Sequence, residues 1–237
     1  MEATGESRPG TLLVVATPIG NLDDITLRAL TTLREADIIA AEDTRHTRKL
    51  LARHGVQGKR LESCHDHNKE AKTPLLLERL RRGENVALVT DSGTPGISDP
   101  GYYLVRRAVE AGIPVIPIPG PSALVAALSA AGVPTDRFAF EGFLPAKSGR
   151  RRRRLEGLAS ETRTLVLFES PHRVVKLLSE IQEVMGGREV VVARELTKVH
   201  EEFLRGTAGE VAERLAAGKA RGEFVILVTP PREEPRS

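Results

Sequence analysis

Much that would point to a common class of protein is missing from this chain. It has one cysteine, Cys64, so no disulfide framework staples the fold and a reducing compartment suits it. Tryptophan is absent and aromatics make up only 3% of the residues. The cores must therefore be built from Leu, Val, Ile and Ala, and a platform stacking several bases on aromatic rings is disfavoured. No apolar run is long enough to span a bilayer, and the amino terminus carries no signal-peptide core, so the expected location is cytoplasmic. A G-x-G-x-x-G fingerprint and a Walker lysine are both missing, which argues against nicotinamide cofactors and nucleoside triphosphates. His65 and His67 share one side if their segment is extended. No further Cys or His cluster completes a ligand set around them, so no metal is expected.

What is present is ample for folding. The 237 residues can hold one large or two modest domains, and 40% of them are hydrophobic. The most informative stretch is residues 91–101, with three glycines and two prolines in eleven positions. It follows the apolar run Val86, Ala87, Leu88, Val89, which reads as a buried parallel strand. It precedes a helix-patterned run from Tyr102 to Val109, for which Asp99 can serve as cap and Pro100 as first residue. Glycine lets backbone approach a ligand closely, and proline sets a loop's shape in advance. A loop of this kind at the carboxyl end of a strand stands where open α/β sheets bind their ligands.

The same pattern recurs along the chain. Residues 12–16 predict a strand that enters the tight loop Thr17, Pro18, Ile19, Gly20, Asn21, followed by a helix through Leu27, Leu30 and Leu33. Ile38 to Ala41 predict a strand ending in Glu42, Asp43, Thr44, Arg45. Asp43 can cap the helix that follows, and Arg45 can pair with either carboxylate. Residues 60–68 predict a third strand ending in the polar cluster His65, Asp66, His67, Asn68, with Cys64 as a structural thiol. Residues 113–118 predict a fifth, ending in Pro119, Gly120, Pro121, Ser122 before a helix of small residues. Strand and helix alternate throughout, which predicts a parallel sheet.

Composition shifts between Gly112 and Gly120, and the expected boundaries follow: a tail over 1–10, an N-terminal α/β domain over 11–118, a C-terminal α/β domain over 119–229 and a tail over 230–237, both tails disordered. In the second domain strands are predicted at 137–141, 164–168, 190–193 and 224–228. Ser170 can cap a helix with Pro171 at its first position, and Thr207 with Glu210 fits a capping box. Net charge is only +3, but it is uneven: Lys147 and Arg150, Arg151, Arg152, Arg153, Arg154 form a dense basic run. Such a run attracts phosphate through counterion release, without reading sequence; a solvated surface segment is the alternative.

Taken together, residues 15–26, 41–45, 65–68, 91–101, 119–123, 169–173 and 194–198 resemble the bacterial 16S ribosomal RNA cytidine 2′-O-methyltransferases, within the tetrapyrrole-methylase-like superfamily. The likeness covers nearly the whole chain, in order. It implies the class III methyltransferase architecture: two α/β domains, the first with a mostly parallel sheet and helices on both faces, the second with a mixed sheet, and a cofactor cleft between them. It implies S-adenosylmethionine as methyl donor, a homodimer, and the small ribosomal subunit as partner, with a cytidine ribose in the decoding region of 16S rRNA as acceptor. By position, Pro18, Gly20, Asp91, Ser92, Gly93, Pro95, Gly96, Ser98, Pro119, Gly120, Pro121 and Ser122 are implied to bind the donor. The candidates for accepting the hydroxyl proton are Glu42, Asp43, His65 and His67, with Glu169 as an outside possibility; holding loops or orienting Arg45 is the alternative role. Arg45, the basic run, His172 and Arg173 are the candidate RNA contacts. The rival readings are a tetrapyrrole or other small-molecule methyltransferase, and a non-catalytic RNA-binding module.

Overall fold

Runs of four residues are enough to make each strand of the first sheet, because neighbours supply the rest of the hydrogen bonding. In the computed structural model, which describes residues 8–218 and 220–231, the chain divides into two compact units, one ending at Ser122 and the other starting at Ala123. The first holds β1 (Leu12–Val15), β2 (Ile38–Ala41), β3 (Arg60–Ser63), β4 (Val86–Val89) and β5 (Val115–Ile118) in the order β3-β2-β4-β1-β5. Every pair in it is parallel.

Helices α1 (Leu27–Glu35), α2 (Thr44–Arg53), α3 (Lys69–Arg81) and α4 (Tyr102–Glu110) cover both faces. The period-two alternation of strand side chains sorts the apolar residues between them. Ile39, Ala41, Ala87 and Val89 join Leu30 and Leu33 of α1 and Leu50 and Leu51 of α2 in one core. Ile38, Ala40, Val86 and Leu88 join Leu76 and Leu80 of α3 and Leu104 of α4 in the other. Two-sided burial is why the strands read as unbroken apolar runs in the sequence.

Helix starts differ from the sequence expectation at two places. Asp43 does cap α2, accepting the Arg45 amide at 2.8 Å. But α4 begins at Tyr102, with Gly101 as its cap rather than Asp99. Gly101 has φ +139°, and a Cβ there would lie 3.2 Å from both the Gly96 nitrogen and Leu88. The loop therefore turns once more before the helix, at a residue only glycine suits. Gly10 likewise belongs to the fold, since its amide donates to the Leu80 carbonyl at 2.7 Å. Of the expected tails, residues 1–7 and 232–237 lie outside the described residues.

The second unit contains β6 (Phe138–Phe143), β7 (Thr164–Glu169), β8 (Glu189–Arg194), β9 (Glu202–Thr207) and β10 (Phe224–Val228) in the order β6-β7-β10-β8-β9. Only β6 and β7 run parallel; the other pairs are antiparallel. Helices α6 (Ser148–Leu158), α7 (Val174–Met185) and α8 (Ala208–Ala217) bury Leu155, Leu177, Leu178, Ile181, Val211 and Leu215 against one face. Helix α5 (Ala123–Ala131) packs against β10 and β8. Strand β9 has no clear apolar signal: it is a half-buried edge strand with Arg205 and Gly206 in it. The capping box of Thr207 and Glu210 forms at α8 as predicted.

Helix α7 starts at Val174, not at Pro171. Ser170 does not cap it through its hydroxyl, which lies 3.3 Å from the Glu169 carboxylate. The Ser170 carbonyl accepts the amides of Arg173 and Val174 instead, so residues 171–173 form a turn ahead of the helix.

Candidate active site

Because the five strands of the first unit are parallel, all their carboxyl ends open on one rim. Along it stand, in order, the loops after β3 (residues 64–68), β2 (42–43), β4 (90–101), β1 (16–21) and β5 (119–122). Helix α1 leaves β1 on one face of the sheet and α4 leaves β4 on the other. The chain thus moves in opposite directions from β1 and β4, which are neighbours. Such a switch point is where open α/β sheets leave a crevice.

Backbone closes that point. Thr17 and Gly93 exchange two hydrogen bonds, Thr17 N to Gly93 O at 2.9 Å and Gly93 N to Thr17 O at 3.1 Å. The buried Thr17 hydroxyl donates to the Thr90 carbonyl at 3.1 Å. Gly93 and Gly96 both have φ +84°, and Ser98, which is not a glycine, has φ +62°. A non-glycine residue held there costs free energy, which the surrounding loop must offset. On the β5 side, a Cβ on Gly120 would sit 3.1 Å from the Ala16 side chain, so the two loops meet closely there.

The carboxylates sit just beside this point. Glu42 Oε2 accepts the Thr90 hydroxyl at 2.5 Å and the Asp91 amide at 3.3 Å. Its Oε1 has no partner among the described residues. Asp91 Oδ1 in turn accepts the Asp43 amide at 3.0 Å. Burial pushes the Asp91 carboxyl above its ordinary 3.8; the Asp43 amide opposes the shift and the Glu42 charge reinforces it. Asp43 behaves oppositely. Hydrogen bonds from the Arg45 side chain and amide hold it far below the carboxylate range. Thr90 was not singled out in the sequence: a buried threonine one residue before a conspicuous loop carries no signal of its own.

His65 and His67 lie at the outer end of the rim, beyond β2. Their rings approach edge to face at 6.0 Å between centroids. The Asn68 side chain accepts the His65 amide at 2.9 Å, which shapes the turn. His65 Nδ1 is buried with no hydrogen-bond partner. Cys64 is buried, and burial raises its thiol pKa, as suits a structural residue. All the predicted donor-binding and proton-accepting residues except Glu169 thus fall on the rim of this one unit.

Of the remaining candidates, Glu169, Arg151 and Arg173 lie in the second unit and Arg45 in the first, and the structure gives each of these four a charged partner. Glu169 is 2% exposed and fully engaged: Oε1 accepts the Ser170 amide at 2.7 Å and Oε2 pairs with Arg173 at 2.8 Å. Both of its oxygens are engaged in latching a turn. Arg173 also donates to the Leu144 carbonyl at 2.8 Å, so its guanidinium ties two loops together. Arg151 is 2% exposed and chelates Glu180, at 2.5 Å from Nε and 2.8 Å from Nη2. It joins α6 to α7 and offers no charge to a ligand. Arg45, although its side chain is 84% exposed, is held by Asp43 at 2.7 Å. The spacing of Arg151 could have marked it, since it shares a helix face with the apolar Leu155 and Leu158. His172 is exposed.

Residues 11–212 match the Tetrapyrrole (Corrin/Porphyrin) Methylases, and the chain belongs to that family. Within it, the chain is 51% identical over 222 residues to the ribosomal RNA small subunit methyltransferase I of Pseudomonas aeruginosa, covering 92% of this chain and 78% of that protein. It is 50% identical over 228 residues to the protein of the same name from Synechocystis, covering 96% and 81%. Among solved structures it resembles the uroporphyrin-III C-methyltransferase of Thermus thermophilus complexed with S-adenyl homocysteine, with a TM-score of 0.64, 22% identity and coverage of 93% and 97%. At that identity the likeness speaks to the fold: two α/β units, one parallel and one mixed.

Proposed function

We propose that this protein transfers a methyl group from S-adenosylmethionine to the ribose 2′-hydroxyl of a cytidine in the decoding region of 16S rRNA. The observation that carries the reading is the roughly 50% identity, over more than nine-tenths of the chain, to proteins named ribosomal RNA small subunit methyltransferase I. The reading further has it act in the cytoplasm as a homodimer. Among the described residues no helix is long and apolar enough to cross a membrane.

The rim fits the donor's chemistry. The positive-φ backbone at Gly93 and Gly96 and the tight approach of Gly120 to the Ala16 side chain form a loop cluster that side chains larger than glycine would strain. No Walker lysine stands there, which suits a ligand without phosphate. Pro18, Gly20, Asp91, Ser92, Gly93, Pro95, Gly96, Ser98, Pro119, Gly120, Pro121 and Ser122 would hold it. When bound, S-adenosylmethionine supplies an electrophilic methyl carbon on a sulfonium. The chain's own task is then to align the ribose hydroxyl, which can supply about 7–11 kcal/mol, and to receive its proton. We assign the proton to Glu42 Oε1: it directly follows β2, the strand next to β4, and is unengaged, whereas Asp43 is locked to Arg45 and His65 and His67 stand at the far end of the rim.

Labelled methyl transfer from the donor to purified small subunits, free 16S rRNA and a tetrapyrrole tests the reading. Label on one cytidine 2′-oxygen is the expected result; label on the tetrapyrrole, or on nothing, overturns it. Glu42→Gln should lower the rate about 10²–10⁴-fold with calorimetric donor binding retained. Full turnover by this variant removes Glu42 from the role.

A further inference from the structure

The five consecutive arginines of α6 are not equivalent. Arg151 points inward to Glu180. Arg152 pairs with Glu183 at 2.6 Å, and Arg154 with Glu141 at 2.7 Å. Each of these charges is therefore balanced by an acid of the same unit. Arg150, Arg153 and the preceding Lys147 are exposed, and among the described residues none has an ion pair or a side-chain hydrogen bond. A spacing of three residues turns each one by 300° around the helix, so the three form a slanting stripe on one side of α6. Gly149 and Gly157 flank it, and a Cβ on either would meet nothing within 4 Å. The stripe is cationic and otherwise bare, so a bulky polyanion can come right up to it.

One aromatic ring stands at the entrance. Phe143 closes β6 just before the turn into α6, and the residue is 56% exposed. It is braced edge to face on Phe168 at 5.7 Å, and the turn behind it is held by Arg173 on the Leu144 carbonyl. In a chain this poor in aromatics, an exposed and braced phenylalanine four residues ahead of the first unpaired cation, Lys147, matches what single-stranded nucleic acid needs: charge for the backbone and a flat face for one base.

We propose that Lys147, Arg150 and Arg153, with the ring of Phe143, form the site by which this chain grips the sugar-phosphate backbone of its RNA. The inference rests on the rRNA-methyltransferase reading and narrows the basic run to those members whose charge is unspent. Each phosphate contact contributes about 0.7–0.9 to the slope of log affinity against log salt, so losing three removes about 2 from it.

The test is equilibrium binding of the full chain to small subunits across a salt titration. In Lys147→Ala/Arg150→Ala/Arg153→Ala the slope should fall by about 2, with thermal stability and donor affinity unchanged. A charge-matched variant, Arg28→Ala/Lys49→Ala/Arg81→Ala, removes three exposed cations of the first unit and should keep the slope. Phe143→Ala should weaken binding about tenfold at constant slope, within the range measured for one stacked base. An unchanged slope in the first variant, or an equal loss in the charge-matched one, overturns the site; unchanged affinity in Phe143→Ala removes the ring from it. A wild-type protein that transfers methyl to small subunits while the first variant keeps its slope refutes this site alone. A wild-type protein that transfers no methyl to RNA refutes the underlying function.

Discussion

The first unit shapes its polar rim with backbone, while the second holds its polar elements in place with charged side chains. Around β1 and β4 the contacts are amide to carbonyl, at positive-φ glycines and a buried threonine. Around α6 and α7 they are guanidinium to carboxylate, at Arg151, Arg152 and Arg173. The topologies account for the difference. A parallel sheet gathers every strand end on one edge, so short loops meet there and backbone can join backbone. In the mixed sheet most neighbouring strands are antiparallel, so their carboxyl ends alternate between edges. Helices must then be anchored by side chains that reach across. Where charges are anchored in the interior, as at Arg151, they are withdrawn from the surface.

The comparison can be broken most sharply at Arg151. Arg151→Ala leaves Glu180 buried without its partner, which should cost about 3–5 kcal/mol. Hydrogen exchange should register the loss in α6 and α7 while the strands of the first unit stay protected. The double variant Arg151→Met/Glu180→Leu should recover most of it, since two apolar side chains can replace a buried pair. The pair also sets a pH dependence. Hydrogen bonds from Arg151 lower the Glu180 pKa below its ordinary 4.5, so its stabilisation is complete above 4.5 and fades as pH falls through the folded value. Urea melts from pH 7 to pH 3 should show a smaller loss of stability in the double variant than in the wild type, the difference being the share of Glu180.

A smaller effect tests the backbone side of the comparison. Gly101→Ala places a side chain at φ +139° and 3.2 Å from Gly96 and Leu88, which should cost about 1–3 kcal/mol. The damage should appear as weaker donor binding and faster exchange in residues 90–101, with the second unit unaffected. Equal loss in both units would show that the division of labour is false.

The smallest effect concerns Asp91. Its folded pKa is raised, so the contribution of this one group falls as pH rises from below 3.8 through the folded value and is constant above it. Asp91→Asn escapes this and can still accept the Asp43 amide. Its melting temperature should match the wild type in acid and slightly exceed it at neutral pH. A variant less stable than wild type at pH 7 would mean the carboxylate charge supports the loop instead of straining it.

Most of the first unit could be read in advance, because local chemistry decides it. Four-residue apolar runs bounded by polar loops allow little but buried strands, and Asp43 caps its helix through its nearest neighbours. Harder cases turned on partners distant in sequence. Asp99 and Ser170 have the chemistry of caps, yet a close approach at Gly101 and the carboxylate of Glu169 moved both helix starts. Strand β9 depends on its neighbour β8 for its hydrogen bonds, and its own residues do not announce it.

What the sequence determined alone was the alternation of elements, the kinship with methylases and the composition of each loop, since these depend on residue type and order. Which arginines are free, which carboxylate keeps an open oxygen and which loops touch were decided only in three dimensions. A side chain's charge is written in the chain, but whether that charge is already neutralised depends on what the fold brings within hydrogen-bonding reach.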